Sequence, residues 1–203
     1  MRDRLLLILK EGGVALIPTD TIPGIMTVYN NIRGLDRIFR LKKRDKKLTI
    51  AVLIGSREQL KYLVREVPEY ADKLMRRFWP GALTVVLPPI KGLPKQIVSL
   101  DGVAIRMPAY KPLQKLINTL DMPLAATSIN VHTKPPITEL SNVPNRFAKG
   151  VDYISRAKFR ALDTPSTVVK FADGKPIVVR QGAIKVKPYH MPSRSSNLAI
   201  NLS

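Results

Sequence analysis

Short apolar runs alternate with amphipathic stretches along most of this chain, and that alternation restricts the fold more than any other feature. The runs VALIP (14–18) and IAVLI (50–54) have the length and composition of buried strands. Between them, Leu35, Ile38 and Phe39 recur at the spacing of one helix face. Strands and helices that alternate in this way favour an α/β fold, built on an open, twisted, mixed sheet with flanking helices.

The remaining elements follow from the same two periodicities. Helices are predicted over 2–11, 31–41, 56–64, 69–78 and 110–119, and strands over 14–18, 50–54 and 102–108. Residues 79–88 predict a turn and then a strand, and residues 123–130 a strand that runs into a small polar loop. Between the first strand and the next helix, TDTIPGI (19–25) has the composition of a polar turn. Late in the chain, residues 166–182 predict two strands around an Asp-Gly turn.

The 203 residues fit one large domain, and no second domain or internal repeat is visible. We expect a folded domain over 1–184 and a basic, Pro- and Ser-rich, flexible tail over 185–203. The absence of cysteine excludes disulfides, thiolate nucleophiles and cysteine-based metal sites. The apolar run 5–9 is too short to cross a membrane and has no signal-peptide cleavage region, so we expect a cytoplasmic protein without a membrane partner.

The balance of charge points to polyanionic partners. Thirty-four Lys and Arg residues stand against fifteen Asp and Glu, which gives a net charge of +19. Such a surface attracts nucleic acid first and an anionic membrane second, although a general solubility adaptation gives the same total. The densest cluster is RLKKRDKKLT (40–49), directly before an apolar run.

Several familiar catalytic and binding motifs are missing. The sequence contains neither a Gly-x-x-x-x-Gly-Lys-Ser/Thr loop nor a Gly-x-Gly-x-x-Gly turn. His132 and His190 lack metal-ligand spacing, and we interpret both as surface or supporting residues. A hydrolase built on Ser128 and His132 has no nucleophile-elbow sequence to support it. We therefore predict no metal site and no covalent catalysis.

Short polar loops at the ends of the predicted strands recur instead. They contain Thr19, Asp20, Thr21, Arg106, Thr127, Ser128, Asn130, Ser166, Thr167 and Arg180. Each residue alone also suits an ordinary turn. Ligands of open α/β sheets bind at strand ends, where Arg pairs with carboxylate or phosphate. The set as a whole therefore predicts a site for an anionic substrate.

Taken in order, these segments resemble the threonylcarbamoyl-adenylate synthases, which have a YrdC/Sua5-type domain. IPTDTIPGI is similar to that family's Pro-Thr-Glu-Thr-x-Tyr-Gly-Leu segment, and LKKRDKKLTIAVL to its Lys-x-Arg-Pro segment and following strand. FWPGALTVVL resembles its Trp-Pro-Gly-x-x-Thr stretch, and GVAIRMP its arginine-bearing strand. TSIN resembles its Ser-x-Asn loop, and PSTVV with VVRQGAI its two closing strands. The resemblance covers about residues 10–184.

The resemblance implies a YrdC-like fold with a large, positively charged concave face, and it makes residues 1–184 a catalytic domain of the shorter, single-domain form. The implied reaction converts L-threonine, bicarbonate or carbon dioxide, and ATP into threonylcarbamoyl-AMP and pyrophosphate. A threonylcarbamoyl-transferase complex then modifies the adenosine next to the anticodon of certain tRNAs, and some family members bind double-stranded RNA. ATP is thus an expected substrate, with Mg²⁺ held mainly by its phosphates.

The resemblance also implies which side chains form the site. ATP is expected to contact Lys42, Arg44, Ser128, Asn130 and Arg180, and L-threonine to contact Thr19, Arg106 and Ser166. Lys42 and Arg44 are the expected catalytic cations. Residues i and i+2 of an extended segment point to the same side. Lys42 and Arg44 are therefore predicted to face the triphosphate together, from an extended segment, while Lys43 faces solvent or RNA.

Some positions depart from the family pattern. Pro23 replaces an aromatic residue, Asp45 a proline and Leu53 a histidine near the amino acid, while His132-Thr133 replaces Ser-Gly. Two alternatives to the synthase therefore stay open. One is a YrdC-like protein that binds double-stranded RNA or tRNA and forms no adenylate. The other is a related carbamoyl-adenylate enzyme with a different acceptor.

Overall fold

A mixed sheet of ten strands forms the centre of the molecule. The computed structural model describes residues 2–45, 47–131, 133–157, 162–172 and 174–186. The strands are β1 (Ala15–Ile17), β2 (Gly24–Val28), β3 (Ala51–Leu53), β4 (Leu83–Leu87), β5 (Val98–Ser99), β6 (Gly102–Arg106), β7 (Leu124–Ser128), β8 (Tyr153–Ile154), β9 (Thr167–Ala172) and β10 (Lys175–Arg180). They lie in the order β10-β9-β4-β6-β3-β7-β2-β1-β8, and β5 pairs with β6. Parallel pairs (β1–β8, β3–β6, β4–β9) occur beside antiparallel ones, which confirms the predicted mixed sheet.

Helices flank the sheet. They are α1 (Arg2–Lys10), α2 (Ile32–Lys42), α3 (Glu69–Phe78), α4 (Lys111–Leu120) and α5 (Asn145–Ala148), with 3-10 turns at Arg57–Tyr62 and Leu140–Asn142. Four of the five predicted helices are confirmed, whereas the one expected over 56–64 is a 3-10 helix. None of the described helices combines the length and the apolar character needed to cross a membrane.

The two faces of the sheet carry separate apolar clusters. Along β3, Val52 belongs to the larger cluster, which includes residues of α2 and α3, and Leu53 to the smaller one, which includes residues of α1 and α4. The same alternation on β7 puts Ala125 in the larger cluster and Leu124 in the smaller one. The second face is covered by helices only over part of its area, and the rest is open to ligands.

Helix α2 shows how local sequence positions the site. Asn31 caps its start, because the side-chain oxygen accepts a hydrogen bond from the Gly34 amide at 3.2 Å. The predicted stripe of Leu35, Ile38 and Phe39 is buried against the larger cluster. The helix ends at a left-handed residue, Lys43, with φ of 49°. This reversal carries the chain from the end of α2 towards β3.

The segment 19–25 contains more structure than the sequence predicts. Its first part is the expected turn, but β2 begins at Gly24 and is buried along its whole length. A strand buried on both faces has no polar alternation to reveal it, and glycine at its start indicates a turn instead. The predicted turn over 19–25 was therefore too long, and it concealed a central strand.

The C-terminal region forms the predicted pair of strands. β9 and β10 are antiparallel, and β9 pairs in parallel with β4. Gly174 has φ of +73°, as the connecting turn requires, whereas Asp173 lies outside the described residues. Of the predicted tail over 185–203, Val186 packs against the larger cluster, and residues 187–203 lie outside the described residues.

Candidate active site

A cavity of about 290 Å³ opens over the uncovered part of the sheet. Six of the eight predicted site residues line it: Thr19, Arg44, Arg106, Ser128, Ser166 and Arg180. The other two, Lys42 and Asn130, lie behind Ser128. The sheet thus brings together side chains that the sequence spreads from the first strand to the last.

The floor of the cavity is apolar and carries short side chains. Ala51 on β3 pairs with Ala126 on β7, and Ala104 lies on the adjacent strand β6. All three line the cavity, together with Leu53 and Met26. Alanine is depleted in strands because it packs little surface. Here its small size leaves space above the sheet.

Lys42 is buried at the C-terminal end of α2, with 1% of its surface exposed. Its ammonium group donates to the backbone oxygen of Ser128, to that of Asn130 at 2.9 Å and to Asn130 Oδ1 at 2.7 Å. These contacts use all three N–H donors of a lysine. Lys42 therefore fixes both the end of β7, where Ser128 lines the cavity, and the loop that follows.

The environment of Lys42 is unfavourable to its charge. Burial, and to a smaller extent the charge of Arg44, lower the pKa of Lys42 to about 7. No ion pair with a carboxylate compensates it among the described residues. An anion that binds nearby would stabilise the charged form, so the site is prepared for a negatively charged ligand.

The titration of Lys42 predicts how stability depends on pH. The unfolded lysine keeps its proton up to its ordinary pKa of 10.5, whereas the folded one loses it near 7. The unfolded state therefore binds more protons between these values, and the free energy of unfolding should rise with pH by up to about 1.4 kcal/mol per unit. Denaturant titrations across this window should show the rise in the wild type, a weaker one in Lys42→Met, and no weakening in the exposed-site control Lys43→Met.

Arg44 reaches the cavity by a different route from the one predicted. Lys42 closes the helix and Lys43 is left-handed, so the two residues do not share one side of an extended segment. Arg44 Nη2 donates to the Thr49 carbonyl at 2.6 Å, and its buried Nε has no hydrogen-bond partner among the described residues. The prediction of a common extended segment was therefore wrong, although both cations still lie at the same end of the site.

Ser128 and Asn130 form a connected pair. Ser128 Oγ donates to Asn130 Oδ1 at 2.6 Å, and Asn130 Nδ2 donates to the Lys134 carbonyl at 2.6 Å. Because the Ser128 proton is engaged, a phosphate contact requires the hydroxyl to turn from Asn130 to the ligand. The loop is thus held in place before a ligand arrives.

Arg106, at the end of β6, is held from three sides. Its Nε donates to the Gly81 carbonyl at 2.9 Å and its Nη1 to Thr21 Oγ1 at 2.7 Å. Its Nη2 lies 2.6 Å from Asp20 Oδ1, a distance that makes an ion pair although neither atom has an aligned hydrogen bond. Burial lowers the pKa of Arg106, and the charge of Asp20 opposes that change. Two of the five guanidinium N–H groups thus make hydrogen bonds within the protein, and Nη2 is buried against Asp20.

Ser166 and Arg180 complete the same end of the cavity. Arg180 Nη2 donates to the Ser166 carbonyl at 2.9 Å, and Ser166 Oγ lies 2.8 Å from Thr84 Oγ1. Burial lowers the pKa of Arg180. The structure thus places Arg180 beside Ser166, a residue predicted to bind the amino acid, although Arg180 was assigned to the nucleotide.

The turn at Thr19 is shaped by its own hydroxyl. Thr19 Oγ1 donates to the Ile22 carbonyl at 2.8 Å and accepts from the Thr21 amide at 3.1 Å. Its proton is therefore engaged, and the Thr21 hydroxyl, 3.1 Å away, takes its second acceptor position. Towards a ligand, Thr19 can act only as an acceptor, in place of the Thr21 hydroxyl. Such an acceptor suits an amine.

Asp20, Thr21 and Thr127 belong to the predicted strand-end set but had no assigned role. Thr21 and Thr127 line the cavity, and Asp20 and Thr21 hold Arg106. Thr84 also lines the cavity. The sequence could have revealed it, because Thr84 is the last residue of the Trp-Pro-Gly-x-x-Thr stretch. Of the departures from the family pattern, Leu53 lines the cavity, whereas Pro23 is buried and is not among the lining residues.

Acidic side chains are missing from the described cavity lining. Among the described residues, no group of three His, Cys, Asp or Glu side chains could hold a metal ion. His132 and His190 lie outside the described residues.

Comparison with known proteins identifies the family. A model of the Sua5/YciO/YrdC family, described as “Telomere recombination”, matches residues 7–182. The chain belongs to this family. The motif resemblance is thereby confirmed over nearly the same range.

Curated relatives of this family carry one activity in their names. A threonylcarbamoyl-AMP synthase of Pyrococcus abyssi is 34% identical over 180 residues, which are 88% of this chain and 53% of that protein. The Bacillus subtilis synthase is also 34% identical and is covered to 52%. The chain thus spans about half the length of these relatives. A putative synthase of Methanocaldococcus jannaschii, 28% identical, is matched over 92% of this chain and 89% of its own length.

Solved structures of the family show the same fold. Sua5 of P. abyssi, in complex with L-threonine, superposes with a TM-score of 0.83 at 34% identity, over 89% of this chain and 54% of that one. YciO of Escherichia coli superposes with a TM-score of 0.81 at 24% identity, over 92% and 91% of the two chains. The second likeness concerns the fold alone.

Proposed function

We propose that this chain is an L-threonylcarbamoyladenylate synthase, which makes threonylcarbamoyl-AMP and pyrophosphate from L-threonine, bicarbonate or carbon dioxide, and ATP. The observation that carries the proposal is one cavity with two cationic ends. Arg44 and Ser128 lie at one end, and Arg106 and Ser166 at the other. The similarity to named synthases and to Sua5 bound to L-threonine supports the same reaction.

The separation of the two ends suits a bisubstrate site. Two residues of one segment mark the two ends. Leu53 pairs with Arg106, and Thr49, four residues earlier, accepts a hydrogen bond from Arg44 through its carbonyl. An extended chain of that length spans at most about 14 Å. The floor between the ends carries the alanine methyl groups and no charge. An amino acid and a triphosphate can therefore lie side by side, with their reacting groups over the floor.

The chemistry asks for positioning and fixed charge. The threonine amine adds to carbon dioxide and releases a proton, which gives a carbamate. With bicarbonate, the leaving group is water in place of the proton. A carbamate oxygen then attacks the α-phosphorus of ATP, and pyrophosphate departs. Neither step needs an enzyme nucleophile, but the second brings two anions together while charge shifts among phosphate oxygens. A cavity with three arginines among its described lining residues meets these needs.

The site residues take the following roles in this proposal. Arg106 binds the threonine carboxylate, Ser166 supports it, and Thr19 accepts from the amine. Arg44 and Lys42 are the cations at the nucleotide end. Arg44 lines the cavity and can touch the ligand, whereas Lys42 acts from behind Ser128, by its charge and by fixing Ser128 and Asn130. Arg180 lies beside Ser166, which is assigned to the amino acid. Arg180 therefore contacts the part of the nucleotide that is next to the amino acid. Mg²⁺ accompanies ATP and is held by its phosphates and by water.

The size of the floor side chains gives a direct prediction. Leucine in place of Ala104 would extend three further carbon atoms into the cavity, so we expect affinity for ATP and for L-threonine to fall by at least about tenfold. Calorimetric titration with each ligand measures the loss. The control is Ala172→Leu on the exposed part of β9, which should leave both affinities unchanged. Equal affinities in a folded Ala104→Leu variant would contradict the assigned cavity.

Incubation with ATP, Mg²⁺, radiolabelled bicarbonate and L-threonine, followed by nucleotide chromatography, tests the proposed reaction. We expect a labelled adenylate and a matching amount of pyrophosphate, both dependent on threonine. Pyrophosphate release that does not depend on threonine would rule out the synthase. Replacing threonine by serine, and offering carbamoyl phosphate, tests the related enzyme with a different acceptor.

RNA is the expected macromolecular partner of this chain. The net charge of +19 favours contact with tRNA or double-stranded RNA, and the product would pass to a threonylcarbamoyl-transferase complex. The same charge keeps a second function open: a family member that binds RNA and forms no adenylate. Such a protein would show RNA affinity that falls steeply with salt, together with no labelled product in the assay above.

A further inference from the structure

Both ends of the cavity attract anions, which raises the question of how they distinguish a carboxylate from a polyphosphate. Arg44 lines one end, Arg106 and Arg180 line the other, and no acidic side chain is among the described lining residues. A polyphosphate carries several charges and would bind wherever the positive charge is greatest. Without a further element, it would compete for the end that the proposed function assigns to the amino acid.

Asp20 supplies that element from behind the cavity. The residue is 8% exposed and is not among the described lining residues, yet its Oδ1 lies 2.6 Å from Arg106 Nη2. Thr21 and Gly81 hold the rest of the guanidinium, so Arg106 cannot swing away from this carboxylate without losing both contacts. The charge of Arg106 is therefore compensated within the protein.

The other cations near the cavity have no such partner. In the described residues, Arg180 donates to oxygen atoms of Ser166, and Arg44 donates to the Thr49 carbonyl. All of these acceptors are uncharged. Lys42, behind Ser128, also donates only to uncharged oxygens. The end with Arg106 and Arg180 thus keeps one net positive charge after Asp20 is counted. The end with Arg44 and Lys42 has up to two.

We propose that Asp20 is a specificity-determining residue: by cancelling the charge of Arg106, it directs a polyphosphate to the Arg44 end and leaves the Arg106 end for a single carboxylate. The inference deepens the proposed function and relies on it for the identity of the two anions. Asp20 lowers the positive potential at the Arg106 end of the cavity through its own negative charge, without touching the ligand. A purely structural ion pair would predict a loss of stability when Asp20 is changed, but no change in the choice between anions.

Calorimetric titration with inorganic tripolyphosphate at low salt tests this inference without any reaction. Asp20→Asn keeps the shape and one acceptor oxygen but removes the charge, so we expect it to bind tripolyphosphate at least about tenfold more tightly, or at a second site. L-threonine should compete for the added binding. Asp20→Glu retains a carboxylate and is expected to behave like the wild type. An unchanged isotherm in folded Asp20→Asn overturns the proposal.

Two further variants decide the question if Asp20→Asn does not fold. In the otherwise wild-type chain, Arg44→Met should weaken tripolyphosphate binding by about tenfold or more, and by clearly more than Arg180→Met does. The reverse order would place the polyphosphate at the Arg106 end and would overturn the proposal. In the Asp20→Asn background, adding Arg180→Met should remove the extra binding.

These titrations separate the present inference from the proposed function. A chain that forms no adenylate can still bind tripolyphosphate at the Arg44 end, and Asp20→Asn can still change that binding. Conversely, an active synthase whose tripolyphosphate binding does not respond to Asp20→Asn would keep its proposed function and lose this account of its selectivity.

Discussion

Lys42→Ala is expected to lower threonine-dependent adenylate formation by at least about a hundredfold. The side chain holds the loop that carries Ser128, and it supplies positive charge at the nucleotide end. Its removal leaves buried oxygens without donors, each at a cost of about 1–3 kcal/mol, and frees the loop to move. Steady-state assays with ATP and L-threonine varied in turn give the loss in kcat and KM.

The neighbouring lysine provides the matched control for this prediction. Lys43 is exposed and lies one residue further along the same basic cluster, so Lys43→Ala removes the same charge without a buried contact. We expect it to retain adenylate formation and to weaken only RNA binding, by about one phosphate contact. Equal losses in the two variants would show that the basic cluster acts through its total charge.

Arg106→Met is expected to lose L-threonine binding and about 3–5 kcal/mol of the free energy of unfolding. The substitution leaves Asp20 charged and buried, with its partner gone. Calorimetry with L-threonine and denaturant titration measure the two effects separately. Arg33→Met, at an exposed position of α2, is the control and should change neither quantity by a comparable amount.

A second substitution tests the cause of this loss. Removing both members of a buried ion pair costs much less than removing one, because no charge remains uncompensated. Arg106→Met combined with Asp20→Asn should therefore recover much of the stability, while L-threonine binding stays absent. If the double variant is as unstable as the single one, packing around the guanidinium is responsible, and not the unpaired carboxylate.

Local sequence patterns were sufficient to predict helix α2 and the last pair of strands. The stripe of Leu35, Ile38 and Phe39 predicts α2, and the turn chemistry at Gly174 predicts the β9–β10 pair. The left-handed residue Lys43 could not be predicted, because lysine has no preference for that conformation. Strand β2 was missed for a related reason: its central place in the sheet depends on its pairing with β1 and β7, which no local pattern reveals.

The sequence predicted which residues form the site better than it predicted how they are arranged. Motif order selected Thr19, Ser166 and Arg106, and the structure brings all three to one cavity. That Lys42 is buried behind Ser128 depends on how the end of α2 meets the loop after β7, and no local pattern carries this information. The pairing of Asp20 with Arg106 likewise depends on the meeting of two distant segments.

The cavity takes its lining from Thr19 at one end of the described chain to Arg180 near the other. During synthesis, the strands of the first half can form while the last ones are still inside the ribosome. β9 must then add beside β4, and β10 beside β9, before Ser166 and Arg180 reach the site. A nascent chain is therefore unable to complete the cavity until Arg180 has emerged. For the same reason, a ligand that spans the cavity stabilises the whole domain against unfolding, and not one local segment.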